Sequence, residues 1–174
     1  MRNLSFHDLQ KEVKVGFVLT IAEKVFIKIS VEDERYLDGR EALDKCWLWV
    51  ESQTVTGDEL YELIDNPDFT GISEYAEEED DLDIARIWSL MVDAVAYTSW
   101  EAFKSEGVKY LPQSLEGITT DSISTILDSA VETSFVKEEE INRMVTVVTE
   151  YSKSNLERLN KKEDFLILFD YKNV

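Results

Sequence analysis

Hydrophobic residues recur along most of the chain at spacings of three and four residues, which is the period of an amphipathic helix. This spacing predicts four helices, over about residues 6–29, 37–51, 121–133 and 137–159, and a capping box predicts a short fifth helix over about 56–65. Another segment, residues 84–103, has almost no polar face, so we expect a helix that is buried at the centre of the fold. No pair of strands is evident in the pattern. The predicted fold class is therefore an all-α bundle of about six helices around a buried central helix.

Local signals predict where several of these helices begin and end. Thr56 and Glu59 have the spacing of a capping box, in which each side chain bonds the backbone N–H of the other residue. Ser5 and Asp121 are the expected N-caps of the helices that follow them. Gly107 is expected to end the central helix, because glycine accepts the left-handed backbone of a C-cap.

Two segments have a less regular pattern. Gly16 lies inside the first predicted helix, where glycine costs about 1 kcal/mol relative to alanine, so we expect another helix to pack closely there. Residues 164–171 are apolar and fit either a strand or a docked helical turn. Because no flexible linker or internal repeat interrupts the sequence, we expect one domain over residues 1–174, with 160–174 as its least defined part.

The charge of the chain is strongly negative and unevenly distributed. Its 37 acidic and 18 basic side chains give a formal net charge of −19, and residues 31–120 alone carry 23 acidic and six basic side chains. This imbalance predicts one strongly negative face. Such a face repels phosphate, which argues against sequence-independent binding to nucleic acid and against docking on anionic membranes.

The start of the chain resembles neither a membrane anchor nor a secretion signal. The longest apolar stretch there, residues 15–22, is too short to span a bilayer. Acidic residues lie before this stretch and no small-residue cleavage site follows it, so a signal peptide is not expected. We therefore expect a cytoplasmic protein.

Residue types that usually carry catalysis are scarce. The single histidine, His7, has the position of a surface residue in the first helical turn, and the single cysteine, Cys46, lies on an apolar helix side, as a core residue does. One cysteine excludes an internal disulfide framework and a multi-cysteine metal site. No glycine-rich phosphate loop is present. We therefore predict no catalytic residue and no cofactor.

Asp93 interrupts the apolar segment 84–103 and is expected to be buried. A buried carboxylate must be paired, hydrogen-bonded or protonated. We favour a structural partner, for which Arg40, Lys45 and the hydroxyl of Tyr97 are candidates, over a role for Asp93 as a catalytic acid.

The acidic run Glu77–Asp83 is the one feature that could bind a metal ion. Isoprenoid synthases, which are all-α, hold Mg²⁺ with aspartate clusters, but in one continuous helix only Glu77, Asp80 and Asp81 would share a face. The simpler interpretation is a solvated helix start, where the positive end of the helix dipole favours carboxylates. A small magnesium-dependent enzyme of isoprenoid-synthase type stays open as an alternative.

Three segments carry a resemblance to a known family: YLDGREALDKCWLW at residues 36–49, DAVAY at 93–97 and KYLPQSLE at 109–116. In order and spacing they resemble the sixth immunity-protein family of bacterial polymorphic-toxin and contact-dependent inhibition systems, over about residues 5–150. The resemblance implies a mostly helical cytoplasmic protein, encoded beside a secreted toxin, that binds the C-terminal domain of the toxin and blocks it. It implies no catalytic residues and does not locate the binding face.

The charge and the resemblance lead to one hypothesis about the partner. A nuclease needs a basic surface to hold phosphate, so an acidic face can cover that surface in place of nucleic acid. The expected toxin-contacting carboxylates are Asp58, Glu59, Glu62, Asp65, Asp68, Glu77, Glu78, Glu79, Asp80, Asp81 and Asp83. The expected aromatic anchors among these charges are Tyr61, Phe69 and Tyr75, with Tyr110 as a further candidate. An acidic scaffold or regulatory module for another basic protein is a second alternative, and the oligomeric state stays open.

Overall fold

The computed structural model describes residues 6–154 and 159–169, except for the side chain of Ser152. Eight α-helices lie within these ranges: α1 Lys11–Phe26, α2 Tyr36–Ser52, α3 Gly57–Tyr61, α4 Ile72–Glu78, α5 Leu82–Glu106, α6 Ser122–Glu132, α7 Glu138–Ser154 and α8 Lys162–Leu168. Two short 3-10 turns, Phe6–Asp8 and Gln113–Leu115, complete the regular structure. The described residues contain no strand, so the predicted all-α fold class is confirmed.

Helix α5 forms the centre of the fold, as its apolar sequence predicts. It contacts α1, α2, α3, α4, α6 and the turn Gln113–Leu115. Trp88 is fully buried in α5, where its ring packs against Phe26 of α1 and Tyr75 of α4. Each large apolar side chain that is fully buried in this way contributes about 1.5–3 kcal/mol relative to an exposed position.

The predicted helix ends are only partly confirmed. The Thr56 hydroxyl accepts a hydrogen bond from the backbone N–H of Glu59 at 3.1 Å, and the Glu59 carboxylate accepts from the N–H of Thr56 at 2.7 Å, so the capping box is present. Gly107 ends α5 with a φ of 71°, as predicted. Asp121 occupies the N-cap position of α6, as predicted, but its side chain makes no capping hydrogen bond and lies 3.1 Å from Nε2 of His7 instead. The predicted N-cap Ser5 lies outside the described residues.

The first predicted helix is shorter than the periodicity indicates. Phe6–Asp8 is a 3-10 turn, and α1 starts at Lys11 because the backbone of Gln10 is extended. After Phe26 the chain tightens into three-residue turns, with the N–H of Ile29 donating to the carbonyl of Phe26 at 2.9 Å. The apolar spacing continues through both ends, but the regular helix does not.

Two helices add to the predicted set of six, and for the apolar tail a docked helical turn was one of the two expectations. Helix α8 covers much of the apolar tail, so the described part of residues 164–171 is helical and not a strand. The ring of its Phe165 occupies the space beside Gly16 of α1, where a Cβ would overlap it. The close packing of another helix at Gly16 is thus confirmed.

Helix α4 is the second addition, and it changes the interpretation of the acidic run. Glu77 and Glu78 end α4, residues 79–81 connect the two helices, and α5 begins at Leu82. The expectation of one helix with an acidic start is therefore wrong for Glu77 and Glu78, which lie at the helix end where the dipole disfavours carboxylates. It holds for Asp81, the N-cap of α5, whose carboxylate accepts from the N–H groups of Asp83 at 2.9 Å and Ile84 at 3.2 Å.

Candidate functional site

The acidic residues of the middle region are carried by α3, α4 and their connections, which we call the α3–α4 unit (residues 56–81). Backbone hydrogen bonds tie the two helices together: the N–H of Ile72 donates to the carbonyl of Leu63 at 2.9 Å, and that of Ser73 donates to the carbonyl of Ile64 at 3.2 Å. A Cβ at Gly71 would overlap the backbone of Ile64, so only glycine allows this close approach.

The α3–α4 unit contacts a long stretch of α5, from Trp88 to Phe103. At one end, Gly57 packs against Phe103, and its carbonyl accepts from the hydroxyl of Ser99 at 2.8 Å. At the other end, the ring centroid of Tyr75 lies 5.1 Å from that of Trp88. Phe103 and Trp88 are fifteen residues apart on α5, or about 22 Å at 1.5 Å per residue. The acidic side chains therefore form an extended strip, which we call the acidic strip.

Most of the residues expected to contact a toxin are exposed on this strip. The exposed ones are Asp58, Glu59, Glu62, Asp65, Asp68, Phe69, Glu77, Glu78, Asp80, Asp81 and Asp83. Tyr61, Tyr75 and Glu79 are half-buried. The sequence thus placed the charges on the surface correctly, while two of the three aromatic residues are partly enclosed by the fold.

Several of the strip carboxylates already have partners within the protein. Glu79 accepts from the backbone N–H of Asp81 at 3.0 Å and from the Arg35 guanidinium at 2.7 Å, and these two donors lower its pKa. Asp83 lies 3.6 Å from Arg86. Among the exposed strip carboxylates in the described part of the chain, six have neither an ion pair nor a side-chain hydrogen bond: Asp58, Glu62, Asp68, Glu77, Glu78 and Asp80. These six are free to attract a basic partner.

The loop between α1 and α2 adds carboxylates that are not among the predicted toxin-contacting residues. Asp33 and Glu34 line an open cleft of about 640 Å³ together with Glu78 and Glu79. Arg35 sits in this cleft and bonds Asp33 at 2.7 Å, which lowers the pKa of that carboxyl. The signal was available in the consecutive acidic residues 32–34, but only the tertiary fold brings them beside α4.

Tyr75 is fixed by three contacts. Its hydroxyl donates to the Asp38 carboxylate, its ring packs on Trp88, and the Arg35 guanidinium lies 5.9 Å from its ring centroid. Burial and the Asp38 carboxylate raise the pKa of Tyr75 to about 12. Tyr75 therefore joins the cleft to the core and offers only part of its ring to a partner.

Phe69 is presented differently, on an exposed loop that is held by hydrogen bonds. Its side chain is 75% exposed, and its φ of 55° lies in the left-handed region, which a bulky residue rarely adopts. The side-chain oxygen of Asn66 holds the loop by accepting from the N–H groups of Asp68 at 3.0 Å and Thr70 at 3.3 Å. An exposed phenylalanine in a strained, well-anchored loop has the character of a binding residue. Tyr110 is also exposed, at 81%, in the loop after α5.

Asp93 does not have the partner that the sequence predicts. Arg40 bonds Glu23 and Asp44, Lys45 bonds Glu41, and the Tyr97 hydroxyl donates to Glu101 at 3.1 Å. Asp93 instead faces a cavity of about 290 Å³, which we call the Asp93 cavity. Burial raises the pKa of Asp93 to about 6, with no neighbouring charge to offset it. The expected structural pair is therefore wrong, because each proposed partner is turned toward another carboxylate.

The Asp93 cavity adjoins the acidic strip. Ile64, whose carbonyl holds α4 in place, forms part of the cavity wall. Ser114 lies at the cavity as well, and its hydroxyl is 3.1 Å from that of Tyr61, which also lies 3.5 Å from the Asp65 carboxylate. The strip and the cavity thus meet where α3 leads into α4.

A second exposed surface is apolar and lies on the α1, α2 and α8 side. Ile27, Val31 and Ile167 are each more than 70% exposed and line a groove of about 770 Å³. This groove borders the end of the described chain at residue 169.

The two residues with potential nucleophilic or general-base chemistry are placed as the sequence predicts. Cys46 is fully buried, and burial raises the pKa of its thiol to about 12. His7 is exposed. Across residues 6–154 and 159–169, no group of three or more His, Cys, Asp or Glu side chains converges in a way that could hold a metal ion. The carboxylates of the acidic run are divided between two helices instead.

The fold and this surface define a class: a small all-helical protein whose exposed features suit contact with another macromolecule. No helix in the described ranges is long and apolar enough to cross a membrane. The chain belongs to a family of immunity proteins, since the family model described as Immunity protein Imm6 matches residues 13–133. This range includes all three segments that carry the resemblance. No curated protein and no solved structure matches the chain.

The family gives the coarse function directly. The protein is an immunity protein of a toxin system, and its family indicates binding to a cognate toxin and an inhibitory, non-enzymatic role. The three family segments include buried residues such as Trp47, Ala94 and Leu115, so much of the shared pattern maintains the fold.

Proposed function

We propose that this immunity protein neutralises a secreted nuclease toxin by covering the toxin's basic catalytic cleft with the acidic strip. The complex would form in the cytoplasm of the producing cell. The observation that carries the proposal is the set of exposed strip carboxylates that have neither an ion pair nor a side-chain hydrogen bond in the described chain: Asp58, Glu62, Asp68, Glu77, Glu78 and Asp80.

Electrostatics supports a partner with a basic surface. Residues 31–120 carry a net charge of −17, and the α3–α4 unit lies within them. A concentrated field of this kind raises association rates 10- to 10³-fold with an oppositely charged partner, and the effect falls as salt screens it. Fast capture suits an inhibitor that must act before the toxin does.

The exposed aromatic side chain on the acidic strip also supports this surface as the toxin-binding face. Phe69 projects from a hydrogen-bonded loop among the charges, and a few such anchor residues dominate the binding energy of protein interfaces. Charge would then determine how fast the proteins meet, while Phe69 and its neighbours would determine how long they stay together.

The test reverses charges that have no structural role. Glu77→Lys, Glu78→Lys and Asp80→Lys are combined in one variant, while Glu79 and Asp81 are kept because they hold Arg35 and cap α5. We expect association with the C-terminal domain of the toxin encoded by the neighbouring gene to slow about 10- to 100-fold at low salt. Stopped-flow or surface-binding kinetics at several salt concentrations measures this change.

A matched control separates position from total charge. The combination Glu132→Lys, Glu150→Lys and Glu163→Lys changes the net charge equally on exposed positions of α6, α7 and α8. We expect it to slow association less than about threefold at the same salt. Equal effects of the two variants would show that overall charge, and not the strip, attracts the toxin.

The two alternatives predict different measurements. A magnesium-dependent enzyme would give heat on titration with Mg²⁺ and a diphosphate, and a scaffold for another basic protein would leave the toxin domain unbound. We expect neither result, and co-purification of the toxin domain with this protein is the direct check.

A further inference from the structure

The Asp93 cavity combines mostly apolar walls with a single carboxylate. Its walls include Ile64, Val92, Ala96, Leu115, Ile118 and Ile126. Asp93 contributes the one carboxylate, and hydroxyl groups come from Tyr97, Ser114, Ser122 and Thr125. Its volume of about 290 Å³ is at the lower limit of the ~300–1,000 Å³ of pockets that enclose drug-sized ligands, so a single side chain is the appropriate scale.

No partner for the Asp93 carboxylate is present in the described part of the chain. Comparable carboxylates have one: Glu101 lies 3.2 Å from Lys14, and Glu23 lies 2.6 Å from Arg40. A partly buried charge without a partner destabilises the folded protein. Its presence beside an open cavity is understandable if a cation from outside completes the pair.

We propose that the Asp93 cavity receives a lysine or arginine side chain of the toxin, whose cation pairs with the Asp93 carboxylate while its aliphatic stem packs on the apolar walls. The inference rests on the proposed function, because it requires a toxin with a basic surface. Lysine and arginine suit the site because their charged groups end long apolar stems. The hydroxyls of Ser114 and Thr125 offer further acceptors for the N–H groups of the cation.

The position of the cavity fits this occupant. It opens beside the acidic strip, where Ser114 contacts Tyr61 of α3. A toxin that is drawn to the strip therefore brings its basic side chains to the cavity mouth. The strip would accelerate the encounter, and the cavity would slow dissociation, because a desolvated ion pair acts mainly on the dissociation rate.

The primary test is Asp93→Asn, with Asp93→Ala as a second variant, in the full-length protein. Binding of the toxin's C-terminal domain is measured at pH 7.5. We expect the affinity to fall about 10- to 100-fold, mostly through faster dissociation. The matched control is Glu116→Gln, which removes one exposed negative charge near the turn Gln113–Leu115 but does not line the cavity. It should change the affinity less than about threefold.

The outcome of this test is distinguishable from that of the proposed function. If Asp93→Asn binds as tightly as the wild type while the strip variant associates slowly, the cavity inference is overturned and the proposed function stands. If the wild type forms no complex with the toxin domain, the proposed function is overturned and the inference with it. Loss of affinity in both Asp93 variants, without loss of thermal stability, supports the inference.

The pH dependence of binding gives a second readout. Of the residues that line the cavity from α5, α6, the preceding loop and Ile64, only Asp93 and Tyr97 titrate, and the Tyr97 hydroxyl donates to Glu101. A cation requires the ionised form of Asp93, whose pKa in the free protein is about 6. Wild-type affinity should therefore fall about tenfold more than that of Asp93→Asn between pH 7.5 and pH 5. Parallel pH profiles of the two proteins would overturn the inference.

The occupant itself can be identified by double-mutant cycles. Each surface lysine and arginine of the toxin domain is replaced by alanine and measured against wild type and Asp93→Asn. For one basic residue of the toxin, the loss of affinity on replacement by alanine should be about tenfold or more smaller with Asp93→Asn than with the wild type. If no basic residue of the toxin is coupled to Asp93, a basic side chain does not occupy the cavity.

Discussion

Helix α5 carries two carboxylates away from bulk water, and the fold surrounds them differently. Glu101 is 2% exposed, lies 3.2 Å from Lys14 of α1, and accepts from the Tyr97 hydroxyl at 3.1 Å. Asp93, two turns earlier on the same helix, has no polar partner in the described residues and faces a cavity. The Glu101 carboxylate is enclosed in an ion pair, whereas the Asp93 carboxylate has no partner within the described ranges.

The difference separates a structural charge from a candidate functional one. A buried pair satisfies its own charges and links two helices, here α1 and α5. An unpaired and partly buried carboxylate makes the free protein less stable, and such perturbed groups are found preferentially at sites that act on something else. The same substitution, carboxylate to amide, should therefore have opposite effects on stability at the two positions.

The largest expected effect is that of Glu101→Gln. The amide leaves the Lys14 ammonium, 9% exposed, without its counter-charge, and removal of one partner from a buried pair costs ~3–5 kcal/mol. Because glutamine keeps an acceptor for the lysine, we expect a loss of about 3 kcal/mol in the free energy of unfolding. Denaturant unfolding at pH 7.5 measures it, with Glu116→Gln as the exposed control expected within about 0.5 kcal/mol. A loss below 1 kcal/mol would contradict the structural role of the pair.

Asp93→Asn is expected to increase the stability of the folded protein, the opposite of the effect of Glu101→Gln. Burial raises the pKa of Asp93 from 3.8 to about 6, so the ionised form destabilises the folded state. The shift corresponds to at most ~3 kcal/mol, and partial solvent access reduces this to about 1–2 kcal/mol. We therefore expect the variant to unfold at higher denaturant concentration at pH 7.5. A destabilised variant would show that Asp93 has an internal partner.

The sign of the pH effect follows from the same shift. Well above pH 6 the Asp93 carboxylate is ionised in both the folded and the unfolded state, so its destabilising effect is fully present. As pH falls from about 7 to 4, the folded protein takes up the proton before the unfolded chain does. The free energy of unfolding of the wild type therefore rises relative to that of the variant. The advantage of Asp93→Asn should therefore disappear by about pH 4. Unfolding of both proteins across this range checks it, and a constant difference would exclude titration of Asp93 as the cause.

This comparison also shows where sequence reasoning succeeds and where it stops. The apolar run of α5 predicted a buried central helix, and the Thr56 capping box and Gly107 stop were found because their signals lie within a few residues. Asp93 and Glu101 both interrupt apolar sequence, and nothing local distinguishes them. Their environments are set by Lys14, which lies on α1, and by a loop after α5.

The acidic strip has the same limitation. Its charges were identified from composition, and most of them are exposed. The division of the run between α4 and α5 was missed because no glycine or proline marks it. It depends on tertiary contacts instead: Arg35 from another loop bonds Glu79, and Tyr75 packs on Trp88.

The smallest expected effect comes from replacing the whole Glu101 pair. Lys14→Met combined with Glu101→Leu removes both charges and keeps similar volumes. Exchange of a buried ion pair for apolar side chains is often neutral or stabilising, since the desolvation cost of both charges disappears with their attraction. The Tyr97 hydroxyl loses one acceptor but keeps a hydrogen-bond partner in Thr120. We expect the double variant to unfold within about 1 kcal/mol of wild type.

The double variant sharpens the contrast between the two carboxylates of α5. If it matches wild type while Glu101→Gln loses about 3 kcal/mol, the pair contributes little net stability, and the cost of an isolated buried charge is what the single substitution reveals. That is the cost that Asp93 already carries, at smaller size, in the wild-type protein. A double variant as unstable as Glu101→Gln would show instead that the pair itself stabilises the fold, and an unpaired carboxylate at position 93 would then be a weaker indicator of an external partner.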